Sequence, residues 1–170
     1  MIVHRCLRLT SIALVFAVAS VAAIPYARAQ QAFERFVPLL IDLPGWTGKK
    51  ADGVAMQMPG NNMITASRDY QRGDARLTAQ VIVGSAAQGA LATINTGMKF
   101  ETSEGRMSTS TIDGMTVMQT YSMKDKNGAI MVALGTNAIM NVSFKALAED
   151  EALTLARKFN WRAIQAAVPK

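Results

Sequence analysis

Residues 106–144 read RMSTSTIDGMTVMQTYSMKDKNGAIMVALGTNAIMNVSF, and the fold depends on this stretch more than on any other. Three short breaks divide it, at Asp113-Gly114, at 125–128 and at 135–137. Asp-Gly and Asn-Gly adopt positive φ at low cost, so these pairs are typical of tight turns between antiparallel strands. The stretch therefore predicts a four-strand antiparallel meander, with strands at 106–112, 115–123, 129–134 and 138–144.

Three more strands are predicted upstream, at 54–58, 63–71 and 75–83. A helix is predicted to begin at Ser85, because Ser85 and Gln88 have the spacing of a capping box. Its apolar side chains repeat at helical spacing and should face the sheet. They are Ala87, Leu91, Ile94 and Met98. A last helix is predicted over about 148–161, with acidic residues at its start and basic residues near its end, as the helix dipole favours.

These elements predict an α+β fold, a mainly antiparallel sheet of about seven strands flanked by helices. An early hairpin and the four-strand meander supply the strands. A further helix is expected over 31–40, and Pro38 either ends it near Phe36 or begins a new turn. Leu43-Pro44-Gly45-Trp46 then forms a turn, whose Trp46 is expected either to close one edge of the core or to stack on a ligand.

The Leu43-Pro44-Gly45-Trp46 turn, the early hairpin, the helix from Ser85, the long meander and the final helix resemble the PsbP-like family, which includes the extrinsic photosystem protein and the Mog-type α-β-α sandwich. The resemblance spans residues 30–170 and rests on the order of the elements and on that one turn. It implies a fold used mostly for binding and accessory roles. No functional motif of the family has a matching position here.

The N-terminus predicts an export signal. Arg5 and Arg8 precede an apolar run over 9–24, and Ala27-Arg28-Ala29 has the small-x-small pattern of a signal-peptidase site. We therefore predict a signal peptide at 1–29 and a single α+β domain at 30–170, periplasmic or secreted, with no stable membrane anchor after cleavage. The alternative is a retained anchor, since the apolar run approaches the length that spans a bilayer.

Cleavage would change the available chemistry, because the chain's one histidine (His4) and one cysteine (Cys6) both lie in the signal. Residues 30–170 then lack the side chains of a Ser-His-Asp or Cys-His site, a usual zinc site or a histidine-ligated haem. Cleavage also removes three of the 18 basic residues and none of the 12 acidic ones, which leaves a net charge of about +3. We predict a protein that is not an enzyme, holds no cofactor and does not bind nucleic acid.

Methionine is the unusual component of the sequence. Met56, Met58 and Met63 surround one predicted hairpin turn. Soft thioethers favour Cu(I), so these three residues are a candidate copper site. Methionine also fills apolar cores, and Met56 and Met58 share one strand face, so burial together explains them equally well.

A partner surface is the other candidate. Met115, Val117, Tyr121 and Met123 share one face of their strand with Gln119, and an apolar strand face without a helix over it marks a protein, lipid or small-ligand site. Coverage by the final helix is the alternative. The sequence therefore predicts a non-catalytic binding or accessory protein whose partner is a protein or another envelope component, with Cu(I) handling as the second hypothesis.

Overall fold

The computed structural model describes residues 32–58 and 61–169, which form one antiparallel sheet with helices on both faces. The nine strands of this part of the chain follow. They are β1 (Thr47–Gly48), β2 (Asp52–Met58), β3 (Asn61–Arg72), β4 (Ala75–Gly84), β5 (Phe100–Glu101), β6 (Gly105–Ile112), β7 (Met115–Ser122), β8 (Asn127–Ala133) and β9 (Ala138–Lys145). The helices are α1 (Ser85–Asn95), α2 (Glu149–Ala156) and α3 (Trp161–Ala167).

The strand order is β1-β3-β4-β9-β8-β7-β6-β5, and β2 also pairs with β3. β1 pairs with residues 70–71 of β3 and β2 with residues 61–67, so the two short strands share one edge. The predicted hairpin and meander are therefore both present. They join where β9, the last strand of the meander, pairs antiparallel with β4.

The prediction of an α+β fold with a mainly antiparallel sheet is confirmed, but the number of strands was wrong. Nine strands form rather than about seven. The two extra strands, β1 and β5, contain two residues each and extend the sheet at its two edges. Alternation of apolar and polar residues cannot be recognised over two positions, so the sequence carries no signal for these two strands.

The turns of the meander follow local backbone chemistry, with one exception. Asp113 and Gly114 have φ values of 53° and 81°, the two positive angles that a tight hairpin turn requires. Asn127 and Gly128, predicted as turn residues, instead begin β8. Gly128 is needed there for space, since a Cβ would lie 2.8 Å from the Phe144 ring and 2.0 Å from the backbone oxygen of Thr120.

The main core covers one face of the sheet, called here the core face. Leu77, Val81, Met140 and Phe144 of β4 and β9 point into it, and α2 and α3 pack over it. Trp46, predicted to close the core or stack on a ligand, belongs to this core and has the guanidinium of Arg72 over its ring at 4.6 Å. Apolar burial on this scale is the main source of folding free energy.

The other face, called the α1 face, has a smaller apolar cluster beneath α1. Its buried members are Ala87, Leu91, Ile94, Met118 and Ile139. Met98, predicted to continue the stripe, is 49 % exposed, because α1 ends at Asn95 and the chain turns away. The predicted capping box is also wrong. Gly84 is the N-cap residue, with φ of 94°, and the Gln88 amide donates to the Thr136 carbonyl oxygen.

The predicted last helix is two helices, with a break over 157–160. The side chain of Asn160 accepts a hydrogen bond from the N–H of Ala163 and so begins α3. Trp161 is the first residue of α3, and its indole donates to the carbonyl oxygen of Ala156, the last residue of α2. This bend lets both helices bury apolar side chains against the same sheet face.

The chain before β1 lies along the core face. Residues 32–34 are helical and a 3-10 turn follows at Val37–Leu39, so the helical segment expected over 31–40 is broken near Phe36. The predicted turn at 43–46 is present, with Trp46 N–H donating to the Leu43 carbonyl oxygen and Gly45 at φ of 79°. The predicted signal peptide at 1–29 lies outside the described residues. Within the described ranges, no helix has the length and apolar character needed to cross a bilayer.

Candidate functional site

Part of the α1 face has no helix of the described chain over it. α1 contacts β3, β4, β7, β8 and β9, but its 11 residues span only about 16 Å along the helix axis. The strands extend well past it toward the β3–β4 turn. Two cross-strand rows of side chains lie in this uncovered part, which we call the open region.

The outer row of the open region, called the basic row, crosses seven strands through directly opposed residues. Its members are Thr47, Gln71, Arg76, Lys145, Asn127, Ser122 and Gly105. Arg76 and Lys145 stand opposite each other on β4 and β9, and both side chains are exposed. Within the described chain, neither forms an ion pair or hydrogen bond. Like charges placed directly opposite each other in a sheet are destabilising.

The inner row, called the hydroxyl row, runs parallel to it toward α1. Its members are Asp69, Thr78, Ser143, Ala129, Thr120, Met107 and Phe100. Most of these side chains are small, so they form a flat floor close to the backbone of the sheet. At the far end, Phe100 is 60 % exposed, which gives that end an apolar margin.

Asp69 is the one carboxylate in the two rows, and its charge is engaged. It accepts hydrogen bonds from the Thr78 hydroxyl at 2.9 Å and from the Lys49 ammonium at 3.1 Å. The Thr78 bond and then the Lys49 bond lower the pKa of Asp69 below its usual range. Asp69 is therefore ionised at neutral pH and offsets the charge of Lys49, whereas Arg76 and Lys145 form no ion pair with any residue that the structure describes.

Two shallow cavities lie at the two ends of the open region. The larger has a volume of about 670 Å³ and is lined by Lys49, Asp69, Gln71, Arg76 and Thr78 together with neighbouring backbone. The smaller, about 370 Å³, lies over β5 to β8 and includes Phe100, Thr120 and Asn127 in its lining. Lys145 lies between them, since it is opposite both Arg76 and Asn127. The two cavities thus lie along one trough that crosses the sheet.

One buried acceptor lies beside the trough. Oδ1 of Asn141 is buried and accepts no hydrogen bond from any group in the described ranges. Asn141 stands between Gln80 and Met131 in the next row toward α1. A buried acceptor without a donor lowers the free energy of unfolding by about 1–3 kcal/mol. Packing alone therefore does not explain why an amide side chain occupies this position.

The candidate copper residues are brought together. Met56 is directly opposite Met63 in the β2–β3 pair, and Met58 lies two residues along the same face of β2. Met56 and Met58 are 44 % and 49 % exposed, so burial together does not account for them. Within the described residues, no three His, Cys, Asp or Glu side chains are grouped to hold a metal ion.

The predicted partner surface on β7 is mostly covered. Met115 and Val117 are 7 % and 0 % exposed and belong to the main core. Tyr121 is half-buried and stacks on Phe144, with ring centroids 6.2 Å apart. Only Met123, 39 % exposed, is free at the end of that face. The C-terminal helices cover the rest, as the alternative interpretation held.

Sequence reasoning missed the open region, which lies on the opposite face of the sheet. Its signal was present in the alternation of polar Arg76, Thr78 and Gln80 along β4 and of Asn141, Ser143 and Lys145 along β9. Alternation shows that one face is polar, but it cannot show which strands become neighbours. The opposition of Arg76 and Lys145 depends on a pairing between residues far apart in the chain.

No family model matches the chain, and no curated protein matches it in sequence. Among solved structures, the fold is similar to an uncharacterized protein from Mycobacterium smegmatis, with a TM-score of 0.42 and 14 % sequence identity. The match covers 84 % of this chain and 98 % of that one.

Proposed function

We propose that this protein is an exported, non-catalytic binding protein whose ligand lies across the open region of the α1 face. The observation that carries the proposal is the trough of two parallel rows, left uncovered by α1 and bearing two exposed cations that have no partner among residues 32–58 and 61–169. A sheet face that serves only the core is expected to be covered by a helix or to balance its charges.

The shape of the trough favours an extended ligand. It crosses the sheet from the larger cavity near β1 and β3 to the smaller one near β5, and small side chains such as Ser143 and Ala129 leave the floor between them clear. Hydroxyl and amide groups, among them those of Ser143 and Asn127, lie along the two rows, whose strands are about 5 Å apart. A chain-like envelope component or a protein segment fits this arrangement better than a compact small molecule.

The chemistry of the rows favours binding over catalysis. The pKa of Asp69 lies below its usual range, so its carboxyl group is ionised and is a poor proton donor at neutral pH. The remaining charged groups of the basic row, Arg76 and Lys145, attract and orient anionic groups. The proposal of export rests on the signal-like residues 1–29, and the proposed ligand is correspondingly a component of the cell envelope.

The test is native mass spectrometry of the protein purified gently from the envelope fraction of the cells that make it. We expect an N-terminus near Gln30 and a bound mass. Ser143→Trp places a large side chain in the middle of the trough and should remove that mass. Ala92→Trp, on the exposed side of α1, is the matched control and should keep it. Equal retention in both variants would place the ligand elsewhere and overturn the proposal.

Cu(I) handling is the second candidate, favoured by the direct opposition of Met56 and Met63 and by the exposure of Met56 and Met58. Opposed side chains on one sheet face lie about 5 Å apart at Cβ, a distance that flexible thioethers can bridge around one soft ion. Bound copper would be the cargo of the protein, held by the thioether sulfurs.

A competitive titration of Cu(I) against a colorimetric chelator tests this candidate. Replacing Met56, Met58 and Met63 together by Leu should abolish binding, because leucine keeps the volume and removes the sulfur donors. Met98→Leu, a change at an exposed methionine outside the hairpin, is the control and should leave binding intact. Loss of binding in the control, or retention in the triple variant, would exclude a site at this hairpin.

A further inference from the structure

Arg76 and Lys145 lie on β4 and β9, two neighbouring interior strands of the sheet, and are directly opposed. Opposed residues have Cβ atoms about 4.5–5.5 Å apart, so two long cationic side chains can converge on a single group. Neither side chain has an acidic partner within the described chain, and their mutual repulsion opposes folding. The two arginines nearest to Arg76 in the chain, by contrast, both form ion pairs with acids.

Those nearby cations show the contrast. Arg68 pairs with Asp42, Arg72 with Glu151 and Arg106 with Glu149. Three of the five arginines between residues 61 and 157 are thus neutralised in place, and Arg157 pairs with Asp113 at 3.2 Å. Arg76 is the member of this set that has no acidic partner in the described part of the chain, and it lies in the trough.

The charged groups around the pair leave it positive. Lys49 and Asp69 lie one row away and offset each other at 3.1 Å. Asp74 lies in the β3–β4 turn and forms no ion pair with the described residues. At the other side, the turn before Asn127 carries both Lys126 and Asp125, and the Asp125 carboxylate accepts from the Ser122 hydroxyl at 3.3 Å. An anion at the pair therefore meets two positive side chains that form no ion pair within the described chain, with the unpaired carboxylate of Asp74 nearby in the sequence.

We propose that Arg76 and Lys145 bind a phosphate group carried by the ligand of the open region. The guanidinium of Arg76 supplies a planar fork that holds two oxygens of one phosphate, and the ammonium of Lys145 supplies a point charge and further donors. Asn127, directly opposite Lys145 in the same row, places an amide beside the site. The inference rests on the proposed function, and it adds the chemical class of the group that is recognised.

A phosphate could belong to a lipid headgroup in a membrane surface or to a soluble phosphate or phosphoester, and the experiment separates these sources. In one arm, inorganic phosphate is titrated while the backbone amide resonances of Arg76, Lys145 and Asn127 are followed by NMR. In the other arm, flotation compares vesicles of phosphatidylcholine with vesicles that also contain phosphatidylglycerol. Both arms use the full processed protein as the cells export it.

The double variant Arg76→Gln/Lys145→Gln should weaken binding about tenfold or more, since a hydrogen bond to a charged group is worth about 1.5–3 kcal/mol. The matched control is Lys99→Gln/Lys158→Gln, which removes the same net charge from two exposed lysines that have no partner in the described ranges. It should bind as the unmodified protein does. Added salt should weaken binding in every case, because the attraction is between exposed charges.

The outcomes separate cleanly. Phosphate binding without vesicle binding assigns a soluble ligand, and binding to anionic vesicles assigns a lipid headgroup. No binding in either arm, or equal loss in the two double variants, would overturn the phosphate site. A mass retained from the envelope by the Arg76→Gln/Lys145→Gln protein and lost on Ser143→Trp would overturn this inference while leaving the proposed function intact.

Discussion

On β4 and β9, neighbouring positions face two surfaces that obey different constraints. Leu77 and Phe144 are opposed on the core face and are 1 % and 5 % exposed. Arg76 and Lys145, adjacent to them in the chain, are opposed on the α1 face and are exposed. Packing restricts the residue types of the core face, because its buried side chains contribute to stability. Exposed Arg76 and Lys145 bury little apolar surface, so packing does not constrain their residue types.

The largest expected effect is at the core face. Phe159 is 1 % exposed and meets the Tyr70 ring edge-on, with centroids 6.1 Å apart. Phe159→Ala should lower the free energy of unfolding by about 3–5 kcal/mol, because it removes the transfer free energy of the ring and leaves a cavity. Urea unfolding measures this. A loss below about 1 kcal/mol would show that the core face is as tolerant as a surface.

A smaller loss is expected at Gly128→Ala. The new Cβ would lie 2.0 Å from the backbone oxygen of Thr120 and 2.8 Å from the Phe144 ring, so β7 or the ring must shift. We expect a loss of about 1–3 kcal/mol, as for other overpacked sites. The control is Gly89→Ala in α1, where the new Cβ meets nothing within 4 Å. That change should stabilise the protein by about 0.5–1 kcal/mol, and thermal unfolding of both variants compares the two.

The next effect depends on pH. The phenol of Tyr70 donates to the carbonyl oxygen of Ile41 at 2.7 Å, and burial raises the pKa of Tyr70 to about 12. In the unfolded chain the pKa of a tyrosine phenol is about 10. The stability that Tyr70 contributes is therefore complete below pH ~10 and is lost as the pH rises through the pKa of the folded state. Tyr70→Phe should cost about 1 kcal/mol at neutral pH.

The same variant should flatten the alkaline decline in stability above pH ~10, because the group that titrates is gone. Urea unfolding of both proteins across the alkaline range measures the difference. If the stability of Tyr70→Phe declines with alkaline pH as steeply as that of the unmodified protein, another group causes the decline. The buried phenol of Tyr70 would then not control the alkaline stability of the core face.

The smallest effect has the opposite sign. Lys145→Gln removes the repulsion between Lys145 and Arg76 and should raise the free energy of unfolding by about 0.2–1 kcal/mol. The gain should shrink in high salt, because both side chains are exposed. Chemical unfolding at low and high ionic strength measures it. A loss of stability in Lys145→Gln would mean that the residue supports the fold, and the contrast between the two faces would disappear.

Much of the fold was predictable from local sequence because its signals are local. The Asp113-Gly114 pair requires positive φ whatever surrounds it, and alternation along β4 and β9 identifies strands with one apolar face. Local signals failed where tertiary packing decided the conformation. Gly128 looked like a turn residue, but it serves as space for the Phe144 ring, and the predicted last helix bends at Asn160 so that Trp161 can reach the carbonyl oxygen of Ala156.

The candidate site was less predictable. Met56 and Met63 could be placed together because they flank one hairpin, whereas their exposure could not be foreseen. The β7 face that the sequence suggested as a partner surface is covered by the C-terminal helices, since Met115 and Val117 face the core. Whether an apolar strand face is free depends on which helix crosses it, and helices distant in the chain supply that cover.

The sequence by itself determined the seven longer strands, most of their turns, the polarity of each strand face and the signal-like N-terminus. Only the tertiary structure decided that β9 pairs with β4, that this register sets Lys145 against Arg76, and that α1 leaves both uncovered. The physical reason is that strand formation and turn formation depend on neighbouring residues, whereas register and coverage depend on the packing of segments far apart in the chain. The proposed binding site depends on that long-range packing.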